Sequence, residues 1–377
     1  MKRDISVTIK PTHACNMRCK HCFNGEKLEE KEMLTAENTF RFMELLAKEY
    51  KKIGLTFHGG EPTLAGIEYY RQVFNFEKEL NGKYGVVFMK NITTNGICLD
   101  DELIDLLIEN DVLINVSFDG PHNNTLREKT ELIYHKLCSL REKKARFRVY
   151  CVETELSSLS LLETYEWFKD NGFNFKMVPI QPYGNAKGNE DLIITPDTFV
   201  SNLMMLYKHW LTDKECNITF YTFEEFLKLE PDSAFKTPWL YRKLALNPNG
   251  KIYPFGRPND VNYCLGDVRT LENINDCFEA DDYKTLMKIL EKNINEFCKD
   301  CGSKNVCGGI TVSSTFVYGS DYEVLKYGCI LADKIFRGAL ELNREVEIDI
   351  LNGNANKYSL RVRKRFSETS SNFFEIE

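Results

Sequence analysis

The feature that most constrains the fold of this chain is a sixfold alternation of strand-like and helix-like segments in its first half. Strand candidates lie at 6–10, 54–58, 87–93, 113–118, 146–152 and 174–179. Amphipathic stretches at 35–50, 66–80, 100–109, 130–144 and 157–170 separate them. Asp100 and Ser157 stand where helix N-caps are expected, and Asn171-Gly172 offers a left-handed ending. Repeated β-α units with short connections call for parallel strands and right-handed crossovers, in an open sheet or a barrel. In such folds the working residues gather at the carboxyl ends of the strands. Five polar or glycine-rich clusters obey that rule: 15–22, His58-Gly-Gly-Glu-Pro62, Thr93-Thr-Asn-Gly96, Ser117-Phe-Asp-Gly-Pro121 and Pro179-Ile-Gln-Pro-Tyr-Gly184. All five fall on one rim.

The pattern changes after about residue 195. Helices are expected at 196–211, 223–229 and 281–291, with a turn and short strand at 247–254. Near the end, Val346, Ile348 and Ile350 alternate with acidic residues, and Leu351-Asn-Gly353 carries turn chemistry. With the return segment 360–365, this predicts a β-hairpin. The expected division is 1–230, 231–345, and a hairpin with a tail at 346–377.

The net charge of −7 argues against a broad basic face for nucleic acid. No apolar run is long enough to span a bilayer and no amino-terminal signal pattern is present, so a cytoplasmic location away from membranes is expected. In a reducing compartment, clustered cysteines more often bind metal or do redox work than form disulfides. Of 13 cysteines, Cys15, Cys19 and Cys22 form one group; Cys298, Cys301, Cys307 and Cys329 form another. Cys98, Cys138, Cys151, Cys216, Cys264 and Cys277 are scattered, and the plain reading of most is a small buried hydrophobe.

The first group has the spacing Cys-x3-Cys-x2-Cys, directly after the first strand. Three thiolates so close can hold a zinc ion completed by His13 or His21. They can also hold one face of an iron–sulfur cube whose fourth iron is left open. With Gly59-Gly60-Glu61-Pro62 after the second strand, the segment resembles the radical S-adenosylmethionine (SAM) superfamily. That resemblance implies a partial (β/α)6 barrel of the TIM type, a [4Fe-4S] cluster whose open iron chelates SAM, and reductive cleavage of SAM to a 5′-deoxyadenosyl radical. It implies that Gly59, Gly60 and Glu61 receive the methionine ammonium, through the Glu61 carboxylate or a backbone carbonyl. It places Ser117 and Asp119 near the ribose, Arg127 near SAM, His21 near the adenine, and Thr94 and Asn95 as further cofactor contacts.

The second group resembles the SPASM module of radical SAM enzymes that modify peptides and proteins. The resemblance implies that Cys298, Cys301, Cys307 and Cys329 hold one auxiliary [4Fe-4S] cluster. An inner cluster of the family pattern is not matched, because Phe255 and Thr311 stand at two of its ligand positions. Cys264 and Cys277 are the candidates for a smaller or unusual cluster. Anaerobic sulfatase-maturing enzymes share the domain plan but carry an aspartate where Gly256 stands here, which argues against formylglycine formation. The expected activity is maturation of a precursor peptide or protein by cross-linking, epimerisation or oxidation. The expected partners are an electron donor such as flavodoxin or ferredoxin, and a separate leader-peptide-binding protein. The alternatives are a dehydrogenase or epimerase of a small molecule, a sulfatase maturase, and a zinc-stabilised interaction protein without catalysis.

Overall fold

The computed structural model describes residues 4–231, 243–254, 263–307, 309 and 322–371. All six expected strands are present: β1 (Ile5–Ile9), β2 (Lys52–Phe57), β3 (Val87–Thr94), β4 (Leu113–Ser117), β5 (Phe147–Glu153) and β6 (Phe175–Pro179). They pair in parallel in the order β6-β5-β4-β3-β2-β1. The connecting helices are α1 (Ala36–Glu49), α2 (Ile67–Tyr84), α3 (Asp101–Glu109), α4 (Asn123–Leu126), α5 (Thr130–Glu142) and α6 (Leu161–Asp170). Helices α7 (Pro196–Thr212) and α8 (Tyr221–Leu227) follow. The sheet runs on past residue 230. Strand β7 (Lys243–Leu246) pairs in parallel with β1, and β8 (Lys251–Pro254) and β9 (Gly266–Asp267) continue it antiparallel.

Successive strand residues face opposite sides. One side carries Val7, Leu55, Ile92, Val116 and Val149, buried in one cluster with Phe42, Val73, Leu103 and Leu137 from the helices. The other side is polar: Thr56, Asn91, Thr93, Asn115, Ser117, Arg148 and Tyr150 line the lumen of the partial barrel. Asp100 caps α3, its carboxylate accepting from the Leu103 N–H at 2.8 Å. Ser157 does not cap α6. It lies in a 3-10 turn, and the helix begins at Leu161 after Ser160, because the Ser157 hydroxyl is engaged by the Thr154 N–H and by Glu153. Gly172, at φ 67°, follows α6 as expected.

The remaining helices are α9 (Asp276–Glu279), α10 (Asp281–Phe297), α11 (Lys304–Cys307), α12 (Tyr322–Leu351) and α13 (Leu360–Ser371). The last two overturn the expected C-terminal hairpin, and the division between 345 and 346 falls inside α12. Val346 and Ile350 belong to a stripe with Leu331, Ile335, Ala339 and Leu342, all turned to the core. Those positions repeat every three or four residues, the period of a helix. Ile348, the middle member of the apparent alternation, is 50% exposed. A three-point alternation was too short to separate period 2 from period 3.6 once acidic residues filled the gaps. Val362 and Phe366, four apart on α13, are buried in the same cluster.

Helix α12 ties the cysteine-rich segment to the barrel. The buried Asn343 accepts from the Tyr207 hydroxyl at 2.6 Å and donates to the Phe226 carbonyl at 2.9 Å. The Tyr327 hydroxyl donates to the Ile194 carbonyl. Among the described residues no helix is long and apolar enough to cross a membrane.

Candidate functional site

The rim begins where β1 and β2 end, and their pairing does not stop there. The His58, Gly60 and Glu61 N–H groups donate to the Ile9, Thr12 and Ala14 carbonyls at 2.9, 3.0 and 2.8 Å. The Gly-Gly-Glu loop therefore lies directly against the segment that leads into Cys15. A Cβ at Gly60 would sit 2.1 Å from the carbonyl oxygens of both His13 and Ala14; one at Gly59, at φ 130°, would sit 2.3 Å from that of Thr12. Only glycine permits this approach.

Glu61 is 1% exposed. One carboxylate oxygen accepts from the Thr63 N–H and hydroxyl and from the Thr94 hydroxyl at 3.0, 2.5 and 2.7 Å; the other accepts from the Asn95 N–H at 2.7 Å. Of the two expected acceptors for an ammonium, the carboxylate is thus already engaged, tying the β2 loop to the β3 loop. Burial raises its pKa, and these hydrogen bonds oppose the rise. Thr94 and Asn95 act from the far side of the same tie. The Asn95 amide also donates to Asn16 at 2.8 Å and approaches the Cys15 sulfur at 3.7 Å.

Asp119 and Arg127 are both buried and bonded to each other at 2.8 Å. The other Asp119 oxygen accepts from the Val152 N–H. The guanidinium reaches the Cys19 sulfur at 3.8 Å and His21 Nε2 at 3.2 Å. Facing a cation, Nε2 must accept, which leaves the proton on the buried Nδ1, a group without a partner. Burial, then the Arg127 charge, push the His21 pKa well below its ordinary value. With Nε2 held by Arg127, His21 is not poised as a fourth ligand for zinc. Ser117, at the end of β4, lines the cavity beside this group.

The second set lies under α12. Burial first, then the neighbouring Cys307, Cys298 and Cys301, push the Cys329 thiol up to about 12. At the rim, burial and the charges of Glu61, Cys19 and Cys22 push Cys15 up to about 11. Both sets are free thiols. Among the described residues, one group of three ligand atoms lies within 4.8 Å of one another: Glu166, His209 and Asp213, outside the barrel. There Lys169 already sits between the two carboxylates, at 2.6 and 3.1 Å. Neither cysteine set is drawn in to the about 3.8 Å sulfur spacing of a zinc tetrahedron. Soft thiolate donors, three at one site and four at the other, suit iron–sulfur clusters by their chemistry. Cys277 is fully buried in the core and Cys264 half-buried, donating to the Gly266 carbonyl. Phe255, Gly256 and Thr311 lie outside the described residues.

Cys15, Cys19, Cys22, His21, Gly59, Gly60, Glu61, Thr94, Asn95, Ser117 and Arg127 all line one cavity of about 890 Å³. Asp119 stands behind Arg127. A further wall comes from α12, through Val324, Leu325, Gly328, Leu331, Ala332 and Ile335. Sequence reading missed several supports. The Asn24 amide donates to the Gly59 carbonyl at 2.6 Å, and Phe23 meets the His58 ring edge-on at 5.7 Å. Gly184, flagged only as part of a rim cluster, lies so close to the cysteine loop that a Cβ would be 2.4 Å from the Cys22 carbonyl. The glycine after Tyr183 was the sequence signal available, and its φ is 59°.

Residues 9–180 match the Radical SAM superfamily. The cysteine-type anaerobic sulfatase-maturating enzyme of Clostridium perfringens is 24% identical over 330 residues, 81% of this chain and 88% of that one. The solved structure of native anSMEcpe with bound AdoMet and Cp18Cys peptide superposes with a TM-score of 0.77 at 21% identity, covering 92% of this chain and 100% of that one. The crystal structure of Streptococcus suis SuiB bound to the precursor peptide SuiA gives 0.60 at 17% identity, covering 86% and 76%.

Proposed function

Because residues 9–180 form a radical SAM domain, we propose that this enzyme modifies a peptide or protein side chain or Cα, by cross-linking, epimerisation or oxidation. One observation carries the reading. The three rim thiols open into the cavity whose further wall is α12, the helix that bears Cys329 of the second cysteine set. The cofactor site and the auxiliary site thus flank one reaction space. When bound, the rim cluster and SAM supply a 5′-deoxyadenosyl radical, and the auxiliary cluster supplies an electron acceptor. Cys15, Cys19 and Cys22 would hold the first cluster; Cys298, Cys301, Cys307 and Cys329 would hold the second. The chain's own part is orientation and exclusion. Gly59 and Gly60 press the cysteine loop against β2, Glu61 braces the β2 and β3 loops, and Arg127 fixes Cys19 and His21. Val324, Leu325 and Leu331 give the cavity a dry wall, which protects a reactive radical from side reactions.

Peptide substrates are supported by relatives whose structures hold peptides. We further propose an electron donor of the flavodoxin or ferredoxin type and a separate leader-binding protein as partners. A second reading, formylglycine formation on a sulfatase, is favoured by the sulfatase-maturating relatives and opposed by Gly256, where that chemistry places an aspartate. The test is anaerobic incubation of the reconstituted enzyme with SAM, reductant and candidate peptides, followed by mass analysis. Loss of two hydrogens marks cross-linking or oxidation. Unchanged mass with deuterium uptake marks epimerisation. Turnover of a sulfatase peptide to an aldehyde, with no other peptide modified, would replace the first reading by the second. SAM cleavage with none of these peptides changed would overturn both.

A further inference from the structure

The floor of the lumen holds a polar relay below the rim residues assigned to SAM above. The Arg148 Nε–H donates to Asn115 Oδ1 at 2.7 Å, the Asn115 amide donates to Asn91 Oδ1 at 3.3 Å, and the Asn91 amide donates to Thr56 Oγ1 at 3.0 Å. These four residues come from β5, β4, β3 and β2, and all four line the cavity. Each carbonyl accepts from one side and each amide donates to the other, so the relay has a direction with the guanidinium at its head. The Tyr150 hydroxyl accepts from Nη2 at 3.0 Å, and the rings of Tyr150 and Tyr221 lie 5.2 and 5.1 Å from the guanidinium carbon. Arg148 is thus clamped on one edge, while its Nη1 edge makes no hydrogen bond to protein among the described residues. A planar guanidinium held this way is shaped for a carboxylate.

The charge balance of the cavity agrees. Among the described residues, Glu61 is the one carboxylate in the lining, and four donors consume it. Arg127, already paired with Asp119, and Lys243, at the foot of β7, also line it. Depth separates Arg148 from the rim. It pairs with Asn115, whereas Tyr150 pairs with Ser117. That is one pleat repeat, about 7 Å, further down. The cysteines, Arg127 and the glycine loop all lie at the rim.

We propose that Arg148 binds a carboxylate-bearing side chain, Asp or Glu, of the substrate peptide. The assignment rests on the peptide reading above and names the chemistry of the residue brought into the barrel. The same geometry would suit the carboxylate of SAM, so the test separates the two sources. The probes are acetyl-Gly-Asp-Gly-amide, its Asn and Lys counterparts, and free N-acetylaspartate. Binding is measured anaerobically by calorimetry and saturation-transfer NMR on the cluster-loaded enzyme with SAM. The Asp peptide should bind at least about tenfold tighter than the Asn peptide. Arg148→Gln should erase that preference, Arg148→Lys should keep part of it, and SAM affinity should be unchanged in both. Equal binding of all three peptides overturns the carboxylate assignment and leaves the peptide reading intact. Binding of N-acetylaspartate with no peptide bound keeps the assignment and overturns the peptide reading. Loss of SAM affinity in a folded Arg148→Gln protein gives Arg148 to the cofactor and overturns the proposal.

Discussion

The two cysteine sets, proposed above as ligands of two clusters, are assembled from different parts. At the rim, Cys15, Cys19 and Cys22 sit within eight residues of one loop, and the scaffold that shapes that loop is scattered. It includes Gly60 from the β2 loop, Asn95 from the β3 loop and Arg127 after α4. In the second set the ligands themselves are scattered, from the end of α10 to the second turn of α12, and the helices do the shaping. Each set also has, beside its sulfurs, a carboxylate partnered by an arginine. Asp119 is buried with Arg127, whereas Asp333 pairs with the exposed Arg337 on the surface of α12. The rim site therefore stands on buried electrostatics and contacts that only glycine allows. The second stands on helix packing.

The broadest way to break this comparison is to delete each set. Replacing Cys15, Cys19 and Cys22 by Ala should abolish reductive SAM cleavage while about four of about eight irons remain. Replacing Cys298, Cys301, Cys307 and Cys329 should retain the rim cluster and SAM cleavage. Iron and 5′-deoxyadenosine assays check both, and SAM cleavage by the first variant would undo the assignment. A smaller change with nearly the same reach is Gly60→Ala. Its methyl must displace the His13 and Ala14 carbonyls, so the rim should lose its cluster while the auxiliary iron persists; wild-type iron content would show that the two loops can part freely. The finest probe makes one substitution in both regions. Asp119→Asn leaves Arg127 buried without its anion and should cost about 3–5 kcal/mol. Asp333→Asn should cost about 0–1 kcal/mol, because its partner is 57% exposed. Denaturant unfolding reads the difference, and equal costs would erase the distinction between the sites.

Much of this was legible in the chain. The six strands and five rim clusters follow from local periodicity and turn chemistry, and local signals survive in sequence. The cysteine triplet is legible for the same reason: its ligands are neighbours. The helix α12 was misread as a hairpin because its stripe of Leu331, Ile335, Ala339, Leu342, Val346 and Ile350 shows only over many turns. Asn24 and Arg148 went unnoticed because nothing in their neighbours marks them; their partners Gly59 and Asn115 lie elsewhere in the chain.

Sequence alone determined the alternating β-α plan, the grouping of the cysteines into two sets and the close approach that Gly59 and Gly60 serve. Those depend on residue type and spacing. Only the tertiary structure decided what Glu61 does, that Arg127 belongs to Asp119, Cys19 and His21 together, and that α12 walls the same cavity as the cysteine loop. These are facts of convergence between distant segments. A buried charge takes its meaning from the partners that folding brings to it, and chain order does not list them.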